Sequence, residues 1–176
     1  MTFTELPLPG AFRIDIEPIA DERGSFARTF CVREFEARGL RTRIAQSNAS
    51  FNAKKGTLRG MHFQRAPMAE AKLVRCSRGA VCDVVVDLRP GSPAYCRWEA
   101  VELTPDNGRM IYIPEGFAHG FQTLTADAEV LYQMFEFYSP GHAAGVRWDD
   151  PAFGIVWPLK NPILSEKDRS YPPFAR

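Results

Sequence analysis

The sequence predicts an all-β protein, an antiparallel barrel or sandwich with a few short helices. Short apolar-rich runs punctuated by Gly and Pro recur along the chain, as in proteins built from many short strands. One run alternates in part, with Cys82 and Val84 on one face and Asp83 and Asp87 on the other, which is the period of a strand. The runs predicted as strands cover residues 72–76, 81–88, 98–103, 110–113 and 130–137.

Turn chemistry separates these runs and marks one helix. Gly-, Pro- and Asn-containing segments at 77–79, 89–93 and 104–108 are suited to close loops between strands. A helix is predicted over 32–38, because Gly39 supplies a C-terminal stop. The tail at 163–168 is interpreted as a polar loop or short turn.

Composition and charge predict one domain over 1–176 and exclude several function classes. The chain has 45% hydrophobic and 24% charged residues, which is ordinary globular usage. A formal net charge of +1 gives no electrostatic basis for binding nucleic acid or an anionic membrane. No targeting segment or bilayer-length apolar run is found, so a soluble, cytoplasmic protein is expected. The cysteines match neither zinc nor disulfide spacing and are expected to be reduced thiols: Cys31, Cys76, Cys82 and Cys96.

Two histidine motifs indicate a pocket. The segment Pro-Glu-Gly-Phe-Ala-His at 114–119 has the Pro-x-Gly-x-x-His turn that leads into an inner strand of a cupin-type barrel. The segment Gly-Met-His-Phe-Gln at 60–64 puts a second histidine on the strand that would face it. His62 and His119 are therefore expected to face one pocket of a cupin-like antiparallel β-barrel, a jelly roll.

The pocket is predicted to hold no metal. Most cupins bind a metal with a second histidine and a glutamate of the first motif, but this chain has Gln64 and Lys72 there. An ammonium repels a cation, and the usual metals take at least three protein ligands. A metal-dependent cupin oxygenase is disfavoured for this reason, and proton-transfer chemistry is favoured.

Eight sequence segments resemble motifs of the dTDP-4-dehydrorhamnose 3,5-epimerase family and occur in the same order as in that family. The resemblance covers nearly the whole chain and implies a cupin-like homodimer that needs neither cofactor nor metal. It also implies the substrate, a nucleotide-diphosphate 4-keto-6-deoxysugar, whose ring carbons beside the ketone are inverted. The matching segments are 21–26, 46–48, 58–64, 72–76, 113–120, 131–132, 138–140 and 164–168.

The candidate catalytic residues suit this chemistry. Proton removal beside a ketone needs a base, a positive group at the enolate oxygen, and an acid on the opposite face. His62 suits the base because imidazole titrates near neutral pH. Lys72 would stabilise the enolate oxygen and Tyr132 would return a proton. The resemblance implies Asp168 as the partner that orients the base.

The resemblance also implies a set of binding residues. Arginine fits phosphate oxygens in a bidentate way, and two aromatic side chains could sandwich the nucleobase. Arg59 and His62 have opposite parity along one strand, so both reach one pocket only if the strand bends or a different chain end supplies one of them. Gly60 is a plausible place for such a bend. The implied diphosphate, sugar and base contacts are Arg23, Phe26, Gln46, Asn48, Arg59, His119, Tyr138 and Lys167.

Two departures from the family pattern concern the nucleobase. Arg28 and Ala143 occupy positions at the nucleoside end where the family usually has glutamates. A carboxylate accepts the imino proton of thymine, whereas arginine only donates and alanine does neither. The departures weaken the case for a dTDP sugar, and an arginine suits a base that presents acceptors, such as cytosine or guanine.

Two alternative functions stay open at this point. A 3-epimerase that inverts one centre has the same catalytic residue types. A non-catalytic sugar-nucleotide-binding cupin would not require a base, an acid and an enolate-stabilising group together. The resemblance further implies that an N-terminal strand crosses to the dimer partner, where Arg23 and Phe26 would serve the neighbouring pocket.

Overall fold

The computed structural model describes residues 1–175 and contains strands joined by short turns, with two short helices. The strands are β1 Thr2–Glu5, β2 Phe12–Asp15, β3 Ile19–Asp21, β4 Gly24–Phe26, β5 Gln46–Asn52, β6 Leu58–Gln64, β7 Lys72–Arg78, β8 Val81–Asp87, β9 Trp98–Leu103, β10 Arg109–Ile113, β11 Phe117–Thr123, β12 Ala128–Met134 and β13 Ala143–Gly145. The helices are α1 Val32–Glu36 and α2 Glu166–Arg169.

Two antiparallel sheets face each other. The larger has the strand order β1-β2-β10-β7-β12-β5 and the smaller has the order β13-β6-β11-β8-β9. Strands β3 and β4 pair only with each other as a separate hairpin. The prediction of an all-β, cupin-like antiparallel barrel with a few short helices is confirmed.

Three apolar layers hold the sheets together: one lies between the sheets, and one lies on the outer face of each sheet. Strand β8 illustrates this: all seven of its residues are buried. Val81 and Val85 belong to the core between the sheets, while Cys82 and Val84 belong to a second core on the outer face. That outer face is covered by the C-terminal segment through Val146, Phe153, Ile155, Trp157 and Phe174.

The third layer lies under helix α1, where the sequence predicted one. The helix begins at Val32 and ends at Glu36, and Gly39 follows it with φ +68°, a left-handed conformation that favours glycine. Phe35 is fully buried and contacts the rings of Tyr112 and Phe30. This helix therefore closes the outer face of the larger sheet.

The strand predictions agree with the structure in position, with shifts at the ends. The run at 98–103 coincides with β9, whereas the run at 130–137 corresponds to Ala128–Met134. The predicted polar turn near the C-terminus is the four-residue helix α2, in which the Ser165 hydroxyl accepts from the Asp168 N–H. All four cysteines are free thiols. Neither described helix has the length and apolar character that crossing a bilayer requires.

Candidate active site

Two adjoining cavities open between the sheets. The first, of about 210 Å³, contains both histidines of the sequence motifs and is called the histidine cavity: Ser50, Arg59, His62, Lys72, His119, Phe121 and Tyr132. The second, of about 150 Å³, is called the tyrosine cavity: His62, Phe63, Gln64, Glu70, Lys72, Tyr132, Met134, Tyr138, Ala143, Ala144, Lys167 and Tyr171. Three side chains line both cavities, namely His62, Lys72 and Tyr132.

The two sheets contribute different groups to this site. His62 on β6 lies directly opposite His119 on β11, and both strands belong to the smaller sheet. Lys72 on β7 and Tyr132 on β12 come from neighbouring strands of the larger sheet. A molecule bound between them therefore has imidazoles on one side and the ammonium and phenol on the other.

An irregularity in β6 brings Arg59 and His62 into the same cavity. His62 pairs with His119 and Arg59 pairs with Phe121. Between these two pairs, β6 has one residue more than β11. The extra residue forms a β-bulge, which shifts the alternation of side chains by one position. Arg59 and His62 would face opposite sides of a regular strand, but the bulge brings both to the same face. Gly60 sits within it with φ +141°, and a Cβ there would lie 2.6 Å from the Cα of Gly120. Only glycine tolerates this approach.

A carboxylate holds the imidazole of His62. The Nε2 of His62 lies 2.6 Å from Oδ1 of Asp168 on α2. The histidine side chain is 40% exposed, whereas the aspartate side chain is 6% exposed. Burial opposes ionisation of Asp168, but the hydrogen bond and charge of His62 outweigh it and lower the pKa of this carboxyl. When Nε2 carries the proton, Nδ1 presents a lone pair to a substrate.

A second imidazole–carboxylate pair lies deeper in the barrel. The Nε2 of His119 lies 2.9 Å from Oδ2 of Asp83, and the aspartate side chain is completely buried. Sequence reasoning assigned Asp83 to one face of β8 but gave it no role in the site. The signal was present in the alternation of β8, which puts an acidic residue on the face opposite Cys82 and Val84.

Lys72 and Tyr132 each have a charged neighbour. The Lys72 ammonium lies 2.9 Å from Oε1 of Glu70, and both residues are buried. Glu70 was not identified from the sequence, although it lies only two residues before Lys72. Burial raises the pKa of the Tyr132 phenol, and the positive charge of Arg59 partly opposes this rise. The phenol therefore keeps its proton at neutral pH.

Known proteins match this chain over nearly its whole length. Residues 5–176 match a family described as dTDP-4-dehydrorhamnose 3,5-epimerase. The chain belongs to this family. It is 44% identical to the dTDP-4-dehydrorhamnose 3,5-epimerase of Sinorhizobium fredii over 173 residues, which cover 98% of this chain and 89% of the relative. It is 41% identical over 170 residues to the dTDP-4-dehydrorhamnose 3-epimerase of Streptomyces niveus, covering 96% of this chain and 82% of that one.

A solved structure of the same family supports the fold. The dTDP-4-dehydrorhamnose 3,5-epimerase of Bacillus anthracis, with TDP and PPi bound, superimposes with a TM-score of 0.94 at 39% identity, covering 98% of this chain and 99% of that one. The predictions of the epimerase family and of an isomerase are confirmed.

Of the binding residues predicted on β5 and β6, Arg59 lines the histidine cavity, whereas Gln46 and Asn48 are in the lining of neither cavity. The guanidinium of Arg59, which lines the histidine cavity, donates from Nε to the Asn52 Oδ1 at 2.7 Å. Gln46 and Asn48 lie on β5 in the same alternation as Ser50, which lines that cavity. Gln46 Oε1 accepts from the backbone N–H of Tyr138 at 2.6 Å.

The remaining predicted binding residues and the two departures from the family pattern divide into two groups. Tyr138, Lys167 and Ala143 line the tyrosine cavity, and Tyr138 is 54% exposed. The structure does not bring Arg23, Phe26 and Arg28 to either cavity of their own chain. The first two lie on the β3–β4 hairpin, where Arg23 pairs with Asp21. Arg28 is exposed, with its Nη1 3.5 Å from Oε1 of Glu34.

Gln64 has a structural role in this barrel. Its amide nitrogen donates to the carbonyls of Met68 and Phe137, and its Oε1 accepts from the N–H of Ser139. The amide thus fixes two loop segments beside the site. Among residues 1–175, no group of three or more His, Cys, Asp or Glu side chains is arranged to hold a metal ion.

Proposed function

We propose that the chain inverts C3 and C5 of a nucleotide-linked 4-keto-6-deoxysugar by proton transfer through an enolate. His62 removes the proton beside the ketone, Lys72 stabilises the enolate oxygen, and Tyr132 delivers a proton to the opposite face. Asp168 orients the imidazole and stabilises its charged form. Removal from one face and delivery to the other inverts the carbon.

The observation that carries this proposal is the set of side chains that the two cavities share. The side chains common to the histidine and tyrosine cavities are His62, Lys72 and Tyr132, which are the groups that the reaction needs. The imidazole and the phenol come from opposite sheets, as transfers on opposite faces of one ring require. A binding module has no need of this arrangement, so the arrangement favours an enzyme.

The decisive experiment is solvent deuterium incorporation followed by proton NMR. Wild-type protein in D₂O should incorporate deuterium at C3 and C5 of the 4-keto sugar, and His62→Ala should abolish both exchanges. His142→Ala is the matched control because that imidazole bonds Ser139 in a loop outside both cavities. Exchange that survives in His62→Ala would contradict the assigned base.

The same spectra separate the two epimerase types. The relatives include both a 3,5-epimerase and a 3-epimerase at similar identity, so identity does not decide between them. Exchange at C3 alone would establish the 3-epimerase alternative. No exchange with any sugar nucleotide would favour a binding role.

The nucleobase is tested with three substrates in parallel. The dTDP sugar is the first choice because the named relatives act on dTDP sugars. Arg28 and Ala143 motivate CDP- and GDP-linked sugars, and the lining of the tyrosine cavity by Ala143 supports a role for that position. A rate with dTDP equal to or better than the others would remove the support for a different base.

We also propose a homodimer in which the β3–β4 hairpin reaches the partner's site. Every residue of the hairpin strands is exposed, including Ile19 at 73% and Phe26 at 70%. Large apolar side chains exposed on a projecting hairpin are typical of an interaction surface. If the proposal is right, mixing inactive Arg23→Ala with inactive His62→Ala should restore activity, because mixed dimers contain one intact site. No restoration in proven mixed dimers would contradict the crossing.

The cytoplasmic location stays a prediction. Its support is the state of the cysteines, all of which are free thiols, as is usual in a reducing compartment. Fractionation of the native host with an antibody against the chain would test it.

A further inference from the structure

Two buried polar atoms without partners belong to one cavity. Among residues 1–175, four buried side-chain polar atoms make no hydrogen bond, and they belong to Glu70, Asp83, Gln133 and Tyr171. Glu70 and Tyr171 both line the tyrosine cavity. Leaving a buried polar atom unpaired is costly, so each such atom in a folded protein requires a physical reason.

Glu70 presents a free acceptor. Its Oε1 binds the Lys72 ammonium at 2.9 Å, while its Oε2 has no partner, and the residue is only 7% exposed. An ionised carboxylate accepts hydrogen bonds and cannot donate them. The group that completes its bonding must therefore be a donor. Glu70 lines the tyrosine cavity, so this donor can belong to a molecule bound there.

Tyr171 contributes a phenol to the same cavity. Its ring lies edge-on to the His62 imidazole, with 6.1 Å between the ring centroids, and covers Gly145, where a Cβ would overlap the ring. Burial, with the nearby Asp168, raises the pKa of this phenol, so it stays protonated. A protonated phenol can donate to one group and accept from another.

We propose that the tyrosine cavity contains a subsite for the C2 hydroxyl of the sugar, which donates to Glu70 Oε2 and accepts from the Tyr171 hydroxyl. A hydroxyl is the simplest group that both donates and accepts a hydrogen bond. Two fixed partners can hold it throughout the reaction only if the carbon that bears it is not inverted. Within the proposed function, on which this inference rests, C3 and C5 are inverted and the C4 oxygen faces Lys72. C2 keeps its configuration, and a hydroxyl there anchors the ring throughout turnover.

The test compares the parent 4-keto sugar nucleotide with its 2-deoxy analogue, using deuterium exchange at C5 as the readout. Wild-type enzyme should prefer the parent by about 10- to 100-fold in kcat/KM, the range for a hydrogen bond to a charged group. This preference should fall at least about fivefold in Glu70→Gln and about threefold in Tyr171→Phe. A general disturbance of Lys72 or His62 would slow both substrates alike and leave the ratio unchanged.

Matched controls are Glu102→Gln on the exposed edge of β9 and Tyr95→Phe, both outside the two cavities. They should keep the wild-type ratio. Equal kcat/KM values for parent and 2-deoxy analogue in wild type would overturn the subsite while leaving the epimerase function intact. A wild-type preference that survives in both variants would also overturn it. If wild type exchanges neither substrate, the proposed function fails, and the subsite fails with it.

Discussion

Two imidazoles line the histidine cavity, and each is paired with a carboxylate in a different environment. The His62–Asp168 pair lies at the mouth, with 40% of the histidine side chain exposed, whereas the His119–Asp83 pair is buried, with 11% of its histidine exposed. Asp168 comes from a helix near the C-terminus, and Asp83 comes from the strand next to that of its histidine. The two pairs consist of the same residue types, but a substrate reaches the His62–Asp168 pair more easily than the His119–Asp83 pair.

The difference teaches which pair suits proton transfer. A general base must reach its proton and then exchange it with solvent, and the partly exposed imidazole meets both conditions. The buried pair is held by neighbouring strands and leaves Asp83 Oδ1 without a partner, so it suits hydrogen bonding to a bound sugar or diphosphate better than turnover of protons. Catalysis should consequently depend more on the His62–Asp168 pair, and stability should depend more on the His119–Asp83 pair.

The largest effect is expected from replacing the two histidines. His62→Asn should reduce the exchange rate about 10³-fold with little change in Tm, because it removes the base from a partly exposed position. His119→Asn should cost about 10- to 100-fold in rate and a larger share of stability, about 1–3 kcal/mol, because it weakens the partner of a buried carboxylate. Exchange kinetics and thermal melts of both variants test this. Equal rate losses would contradict the assignment of separate roles.

The carboxylates should show the same order at a smaller scale. Asp168→Asn should reduce the rate about 10²-fold, because an amide no longer stabilises the imidazolium that forms during turnover. Asp83→Asn should reduce it about 10-fold, the loss of one charge-assisted hydrogen bond. Steady-state kinetics with one substrate give both numbers. An Asp83→Asn variant slower than Asp168→Asn would reverse the comparison.

Sequence reasoning found the groups that local pattern encodes. The apolar runs predicted five of the thirteen described strands, namely β7 to β10 and β12. Gly39 marked the helix stop, and the two histidine motifs predicted facing imidazoles. Asp168 came only from the family resemblance, because it meets His62 across 106 residues and no periodicity links them. Asp83 depends in the same way on how β8 aligns with β11, which a single strand does not encode.

The missed residues have one physical feature in common. Glu70 and Tyr171 acquire their roles from neighbours that the fold assembles: the Lys72 ammonium for the first, and the His62 ring with Gly145 for the second. Neither has a motif of its own. Local propensity and alternation predict strands and faces, but pairing partners across sheets require the register and the path of the C-terminal segment.

Acid should act on the pair at the mouth. The pKa of Asp168 is lowered in the folded chain, so its ionised form stabilises the fold above the ordinary aspartate pKa of about 4. That contribution is lost as the pH falls through the lowered value. The difference in unfolding free energy between wild type and Asp168→Asn should shrink as the pH falls below about 4, because the carboxylate is protonated there. Denaturant titrations at stepped pH test it, and a difference independent of pH would contradict it.

The smallest effect is expected where the C-terminal segment closes over the mouth pair. Gly145→Ala adds a Cβ that overlaps the Tyr171 ring, so the ring must move away from His62. Such overpacking costs about 1–3 kcal/mol, which should lower Tm by a few degrees and slow exchange a few-fold. Gly141→Ala is the matched control, since a Cβ there meets nothing within 4 Å. Equal melting temperatures for the two variants would show that Tyr171 does not pack on Gly145, whereas a loss confined to Gly145→Ala would tie the mouth pair to the C-terminal segment.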